Sequence, residues 1–283
     1  MLTLSSQSQL SSHTADPTSS VYHPGFVYND RLPDLIIVTS DRIRFHVHSA
    51  LLTSTSANSF GRLLSHPPDL LSLPDPAAVI KVVLDVLYGF SCLDNPPSLA
   101  IVSAALDILR GLGVSIVRLA VRPLPLYGLI MLHAPCKPIE AYALAAHHHL
   151  EQPAVAISAH LLAYDISQIS DRLVIEMGAV YFSRLVKLQQ GRIAKLLDLL
   201  SRPPPTHPAT HACGQDGRRD LSRAWALATA EIFWTVLPNT STDRLQTTFS
   251  QAAQSITCAD CQKMLHVHIW KVTTQWLAVK CTI

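Results

Sequence analysis

FHVHSALLTSTSANSF, residues 45–60, contains a change of hydrophobic period that decides the fold. Up to Val47, apolar and polar residues alternate (Ile43, Phe45 and Val47 against Arg42, Arg44 and His46), which is typical of a strand with one packed face. From Ser49 onward the alternation stops, and SALLTSTS predicts a short helix that ends in a Ser/Thr cluster. Ser56 is placed to cap a second helix, ANSFGRLL. The stretch therefore predicts a strand that turns directly into helices.

Two histidines lie at this junction. His46 and His48 are two residues apart on a strand and so share a face. A metal site would need at least one further ligand, and no Cys, Asp or Glu is well placed nearby in the sequence. We interpret His46 as a solvated strand residue. His48 is predicted to be structural, with its ring N–H groups on backbone carbonyls at the strand-to-helix corner.

The flanking sequence predicts an α+β fold. Leu35 to Val38 is a continuous apolar run, hence a buried strand, and Thr39-Ser40-Asp41 provides a turn between the two strands. Residues 1–20 are predicted to be a disordered tail, 21–135 a strand hairpin with helical hairpins, and 136–283 a mostly α-helical C-terminal region. That region contains a Pro-rich loop at 201–217. Two closing helices are expected at about Leu221–Leu237 and Met264–Val279.

Composition narrows the class of partner. Of the 283 residues, 48% are hydrophobic and 15% are charged, against a typical ~25%, and mean hydropathy is +0.25. A surface this poor in charge either buries apolar area against a partner or makes the protein poorly soluble. The net charge of +2 has no basic block, so no nucleic-acid partner is expected. Arginines and prolines interrupt the apolar stretch 112–132, and the N-terminus lacks a secretory pattern, so we expect no membrane association and a cytoplasmic or nuclear location.

Six cysteines are expected to be reduced thiols or metal ligands (Cys92, Cys136, Cys213, Cys258, Cys261 and Cys281). The C-x-x-C spacing of CADC, residues 258–261, supplies half of a tetrahedral zinc site. Cys213 and His211 complete the candidate metal set, and His207, His266 and His268 are further candidate ligands. The alternative is a pair of cysteines in a helix-entry turn that binds no metal.

Sequence signatures of enzymes are absent. The chain has no G-x-S-x-G, no phosphate loop G-x-x-x-x-G-K, no G-x-G-x-x-G and no H-E-x-x-H. Its few carboxylates are scattered and form no close pair suited to acid–base catalysis. The chain is therefore predicted not to be an enzyme, with no catalytic residue and no required cofactor.

The opening stretch and its neighbours resemble a BTB/POZ domain. The resemblance rests on four consecutive features: a buried strand that starts at an Asp, a turn, the pattern F-x-V-H-x-x-L-L and a Ser-rich helix junction. Further along the chain, VVLDVLYGFSC resembles the family's helix that ends in a tyrosine. NSFGRLL, LSRAWALATA, CADC and WLAVKCTI are similar to BTB-containing proteins of basidiomycete fungi, over about Val21 to Ile283. The fold-defining residues are Asp34, Phe45, Val47, His48, Leu51, Leu52, Ser56 and Phe60.

The resemblance implies a non-enzymatic protein–protein interaction module. Many members of the family self-associate, and some act as adaptors for ubiquitin ligases or transcription. The expected partners are therefore proteins, including a second copy of the chain or a cullin-type scaffold. The alternative function is a zinc-binding regulator or a hydrolase built on the C-terminal Cys/His residues.

Overall fold

The computed structural model describes residues 17–65, 69–93, 95–208, 210 and 213–283. Within these ranges it contains three strands and eleven α-helices, which is a mixed α+β architecture. The chain divides into two compact units, Met1–Leu129 and Ile130–Ile283. None of the described helices combines the length and the apolar character that a membrane span requires.

Unit 1 contains a small sheet followed by helices. Its strand order is β2-β1-β3, with β1 antiparallel to β2 and parallel to β3. Ile37 lies opposite Phe45 on one side and Leu71 on the other. The elements are β1 Leu35–Val38, β2 Arg44–Val47, α1 Ser49–Thr55, β3 Leu70–Ser72, α2 Ala77–Tyr88, α3 Leu99–Gly111, α4 Ile116–Leu119 and α5 Pro125–Leu132, in which the division between the units falls.

Alternate residues of the hairpin are buried, as the two-residue period predicts. Leu35 and Ile37 of β1, and Phe45 and Val47 of β2, are all buried. Strand pleating points these four side chains to one face, so a single hydrophobic layer forms there. The strand-to-helix change at Ser49 is confirmed, because β2 ends at Val47 and α1 starts two residues later.

The end of the predicted disordered tail is ordered against the sheet. The backbone N–H of Ser19 donates to the Arg44 carbonyl at 2.9 Å, and the Arg44 N–H donates to the Pro17 carbonyl at 2.9 Å. The prediction was therefore wrong for residues 17–20, while residues 1–16 lie outside the described ranges. A polar composition does not reveal backbone bonds to an edge strand, and such bonds order this segment.

The prediction of a second helix over ANSFGRLL is wrong. Residues 57–64 form turns, and Ser59, Phe60, Gly61 and Arg62 have φ of 52°, 55°, 69° and 67°. The Ser56 hydroxyl accepts the Phe60 N–H at 2.7 Å and donates to the Leu112 carbonyl at 2.6 Å. Such side-chain bonds to the backbone compete with helix formation. The turns place Phe60 fully inside the core.

Unit 2 is helical. Its elements are α6 Pro138–His147, α7 Glu151–Ser158, 3-10 helices at Ala159–Ala163 and Ile166–Gln168, α8 Asp171–Leu200, α9 Gln215–Thr235, α10 Thr242–Ala253 and α11 Ala259–Leu277. Gly178 interrupts α8 with φ 73° and ψ 162°, a conformation that favours glycine. Three helices follow the Pro-rich loop, where the sequence predicted two.

The core of the last three helices is built around stacked rings. Trp225 of α9 and Phe249 of α10 stack with centroids 4.4 Å apart, and both are buried. Leu265 and Ile269 of α11 belong to the same apolar cluster. Cys213 and Cys261 are also members of it, so two of the candidate ligands are anchored by packing.

Candidate functional site

The strand-to-helix corner of unit 1 is held by hydrogen bonds to His48. Its Nε2 lies 3.0 Å from the Arg31 carbonyl, and its Nδ1 lies 2.8 Å from the Tyr88 hydroxyl. A carbonyl can only accept, so Nε2 carries the proton and Nδ1 accepts from Tyr88. The His48 N–H donates to the same hydroxyl at 2.9 Å. These bonds therefore join β2 to the end of α2. Burial raises the pKa of the Tyr88 hydroxyl to about 12.

Asp34 fixes the start of α1 at the same corner. One of its carboxylate oxygens accepts the Ser49 N–H at 2.7 Å, and the other accepts the Ser49 hydroxyl at 2.5 Å. A carboxylate at this position also interacts favourably with the helix dipole. Asp34 is partly desolvated, which opposes ionisation, but the two bonds from Ser49 outweigh that effect and lower its pKa.

Apart from Ser56, the other residues that carry the resemblance are packing residues. Phe45, Val47, Leu52 and Phe60 are buried, whereas Leu51 is half-buried. His46 is half-buried on the strand; burial lowers its pKa, with Arg44 and His23 adding to the effect. These residues therefore pack around a corner that the hydrogen bonds of Asp34 and His48 hold.

Loss of the Tyr88 hydroxyl is expected to weaken this corner. Tyr88→Phe leaves the His48 ring nitrogen and the His48 N–H without their partner, which should lower the free energy of unfolding by about 1–3 kcal/mol. Urea denaturation measures the change. Tyr28→Phe, in a ring that packs on Tyr88 at 4.9 Å, is the control and should change stability by less than about 0.5 kcal/mol. Equal effects of the two changes would show that the hydroxyl does not stabilise the corner.

A second candidate site lies in unit 2, where one histidine and three cysteines converge. His207, Cys213, Cys258 and Cys261 each offer a ligand atom, and these atoms all lie within 4.8 Å of one another. The Sγ atoms of Cys213 and Cys261 are 3.7 Å apart. The Nε2 of His207 lies 3.5 Å from the Sγ of Cys258 and 3.3 Å from the Sγ of Cys261.

Local structure explains how these side chains meet. Cys258 is the N-cap of α11 and Cys261 lies in its first turn, and residues three apart on a helix share a face. Thr210 and Cys213 exchange backbone hydrogen bonds of 3.1 Å, which turns the loop just before α9. Gly217 provides the space, because a Cβ there would collide with the Cys213 sulfur.

The start of α11 also gives the cysteine thiols different pKa values. The Cys261 backbone N–H bonds the Cys258 sulfur and lowers the pKa of Cys258 to about 7. Burial raises the pKa of Cys261 to about 12 and raises that of Cys213. The Cys258 thiol is therefore the most acidic of the three.

The structure brings together three of the four residues of the predicted metal set, with His207 as the fourth. His211 lies outside the described residues. His266 and His268 bond backbone carbonyls instead: a ring nitrogen of His266 lies 2.8 Å from the Gln262 carbonyl, and one of His268 lies 2.9 Å from the Arg202 carbonyl. Sequence analysis missed Gly217, since its importance depends on contact with a residue of the neighbouring loop.

Comparison with known proteins adds no name to these two sites. No protein-family model, no curated protein and no solved structure matches the chain. The residues themselves therefore define the class of protein. They define a mixed α+β chain with a rigid strand-to-helix corner in one unit and a Cys/His cluster in the other.

Proposed function

We propose that this chain is a non-enzymatic protein-interaction module whose N-terminal unit is a BTB/POZ-like domain. One observation carries the proposal: the corner formed by β2, α1 and the end of α2, with His48 bonded to Tyr88 at 2.8 Å. A strand hairpin followed by helices supports the proposal, since the resemblance implies that order. Three of the residues that carry the resemblance, Asp34, Val47 and His48, lie at this corner.

The segment packed on the corner offers an apolar surface. The Phe26 and Tyr28 rings contact the His48 ring at 5.5 and 5.9 Å, which anchors the segment. Between and beyond these contacts, Val27 and Leu32 are 56% and 65% exposed. Apolar side chains held outward on a rigid support provide the contact area that a protein partner needs. The partner is a second copy of the chain or another protein, with a cullin-type scaffold among the candidates.

The buried polar groups of unit 1 favour a structural role over catalysis. Asp85 accepts from the Tyr22 hydroxyl at 2.9 Å, from the Lys81 ammonium at 2.6 Å and from the Cys92 thiol at 3.3 Å. Burial raises the pKa of Cys92 to about 12, with the Asp85 charge adding to the effect, so the thiol stays neutral. A neutral thiol is a poor nucleophile. This network therefore supports an architectural interpretation.

Self-association gives the first test of the proposal. Val27→Asp/Leu32→Asp should weaken association of the full chain at least about tenfold in Kd, which corresponds to about 1.4 kcal/mol. Sedimentation velocity over a range of protein concentrations measures it. Leu277→Asp, at a side chain of unit 2 that is 74% exposed, is the matched control and should associate like the wild type. A wild type that stays monomeric at all concentrations, or an equal association constant for all three proteins, would contradict a homotypic interface on this surface.

A further inference from the structure

The distances in the Cys/His cluster fit the edges of a zinc tetrahedron. With Zn–S of about 2.3 Å and Zn–N of about 2.0–2.1 Å, two sulfurs lie about 3.8 Å apart, and a sulfur and a nitrogen about 3.5 Å apart. Three of the six separations match these values: 3.7 Å between the sulfurs of Cys213 and Cys261, and 3.5 and 3.3 Å from the His207 Nε2 to the sulfurs of Cys258 and Cys261. The other three are at most 4.8 Å. A disulfide needs about 2.05 Å, so the Cys213 and Cys261 sulfurs are not bonded to each other.

The imidazole of His207 is also oriented for a metal. Its Nδ1 lies 2.6 Å from the Pro208 carbonyl, which can only accept, so Nδ1 carries the proton. The lone pair is then on Nε2, the atom that faces the sulfurs of Cys258 and Cys261. A metal-ligating histidine typically donates its other ring N–H in this way, because that bond fixes the tautomer.

We propose that His207, Cys213, Cys258 and Cys261 form a closed, structural zinc site. Three thiolates and one imidazole are a donor set of structural zinc sites, and soft thiolates disfavour magnesium and calcium. Four protein ligands fill the tetrahedron and leave no position for a reactive water. The site therefore supports a stabilising role, and it does not support the hydrolase alternative.

Zinc at this position would tie together distant parts of unit 2. Its ligands come from the Pro-rich loop, from the residue before the N-cap of α9 and from the start of α11. Cys213 and Cys261 belong to the apolar core, so the metal would crosslink the loop to that core. Because such a site does not exist in an unfolded chain, the free energy of zinc binding contributes to folding.

Elemental analysis of the full chain, purified under reducing conditions, tests the site. The wild type should hold about one zinc per chain, as a single four-ligand site implies. Cys258→Ser/Cys261→Ser should lose the metal. Since that variant removes a buried core thiol, His207→Gln serves as a milder second change and should weaken zinc binding at least about tenfold. His266→Gln, at a ring that bonds the Gln262 carbonyl, and Cys281→Ser are the controls and should retain zinc.

Two further readouts decide the assignment. Tetrahedral Co²⁺ bound to thiolates absorbs strongly in the visible, and His207→Gln should change that spectrum whereas His266→Gln should not. A chelator should lower the Tm of the wild type and leave that of Cys258→Ser/Cys261→Ser unchanged. Wild-type protein that is isolated without zinc and whose Tm a chelator leaves unchanged, or His207→Gln with wild-type affinity, would overturn the proposal. Neither result bears on the interaction surface of unit 1, whose residues are separate.

Discussion

Phe45→Ala is expected to lower the free energy of unfolding by about 3–5 kcal/mol, the usual cost of removing a buried aromatic ring. Phe45 lies in the middle of the hairpin, opposite Ile37, and is only 2% exposed. Its ring is 5.9 Å from that of Tyr22, so the change also removes an aromatic contact. The alanine would leave a cavity behind the corner that His48 and Tyr88 form.

Chemical denaturation of the full chain measures this loss. Phe233→Ala is the matched control, because that ring is 54% exposed on α9 and should cost less than about 1 kcal/mol. If Phe45→Ala left the unfolding midpoint unchanged, Phe45 would not belong to the core. The assignment of the opening stretch as the fold-deciding one would then be wrong.

Arg192→Met is expected to have a comparable effect in unit 2. The Arg192 side chain is 8% exposed, and its Nε donates to the Pro238 carbonyl at 2.7 Å. Its Nη1 donates to the carbonyls of Val279 and Lys280 at 2.7 and 3.0 Å, and the guanidinium lies 4.3 Å from the Trp276 ring. Methionine fills similar volume but bonds none of these carbonyls. A buried carbonyl left without its donor costs about 1–3 kcal/mol; the Pro238 bond is buried and the other two are partly buried, so the expected total is about 3–5 kcal/mol.

An exposed ion pair provides the control for Arg192. Arg184 bonds the two carboxylate oxygens of Glu151 at 2.9 and 2.5 Å, but their side chains are 33% and 53% exposed. Surface pairs of this kind contribute about 0–1 kcal/mol, so Arg184→Met should have a small effect. Equal losses for the two arginine variants, measured by thermal unfolding, would show that the buried carbonyl bonds do not hold the C-terminal segment.

Local patterns in the sequence were sufficient for the hairpin and the start of α1, whereas the bond between the His48 Nδ1 and the Tyr88 hydroxyl was missed, because both ring N–H groups were expected on backbone carbonyls. Alternation identifies Phe45 and Val47 as buried, and the loss of period at Ser49 marks the helix start. The turns after Ser56 were not predictable, because Ser56 bonds the carbonyl of Leu112, a residue far along the chain. Similarly, α10 has few apolar residues, and its buried Leu245 and Phe249 become recognisable only when they pack against α9 and α11.

The Cys/His cluster was only partly predictable, again because its residues lie far apart in the sequence. The spacing of CADC identifies two ligands, and the order H-x-x-x-H-x-C offers both His207 and His211 as partners of Cys213. Spacing alone does not choose between those histidines. Geometry places His207 at the site, because its Nε2 faces the sulfurs and its Nδ1 bonds the Pro208 carbonyl, while His211 lies outside the described residues.

Capture of partners by the full chain tests the central claim, protein binding through unit 1, most directly. Tagged wild type, Val27→Asp/Leu32→Asp and Leu277→Asp would be recovered from extracts of the source cells alongside an untagged second copy, and the bound proteins quantified by mass spectrometry. We predict that the wild type and Leu277→Asp retain the same protein, or the second copy, and that the double variant loses it at least about tenfold. Equal recovery by all three proteins, or no enriched protein with any of them, would contradict the account.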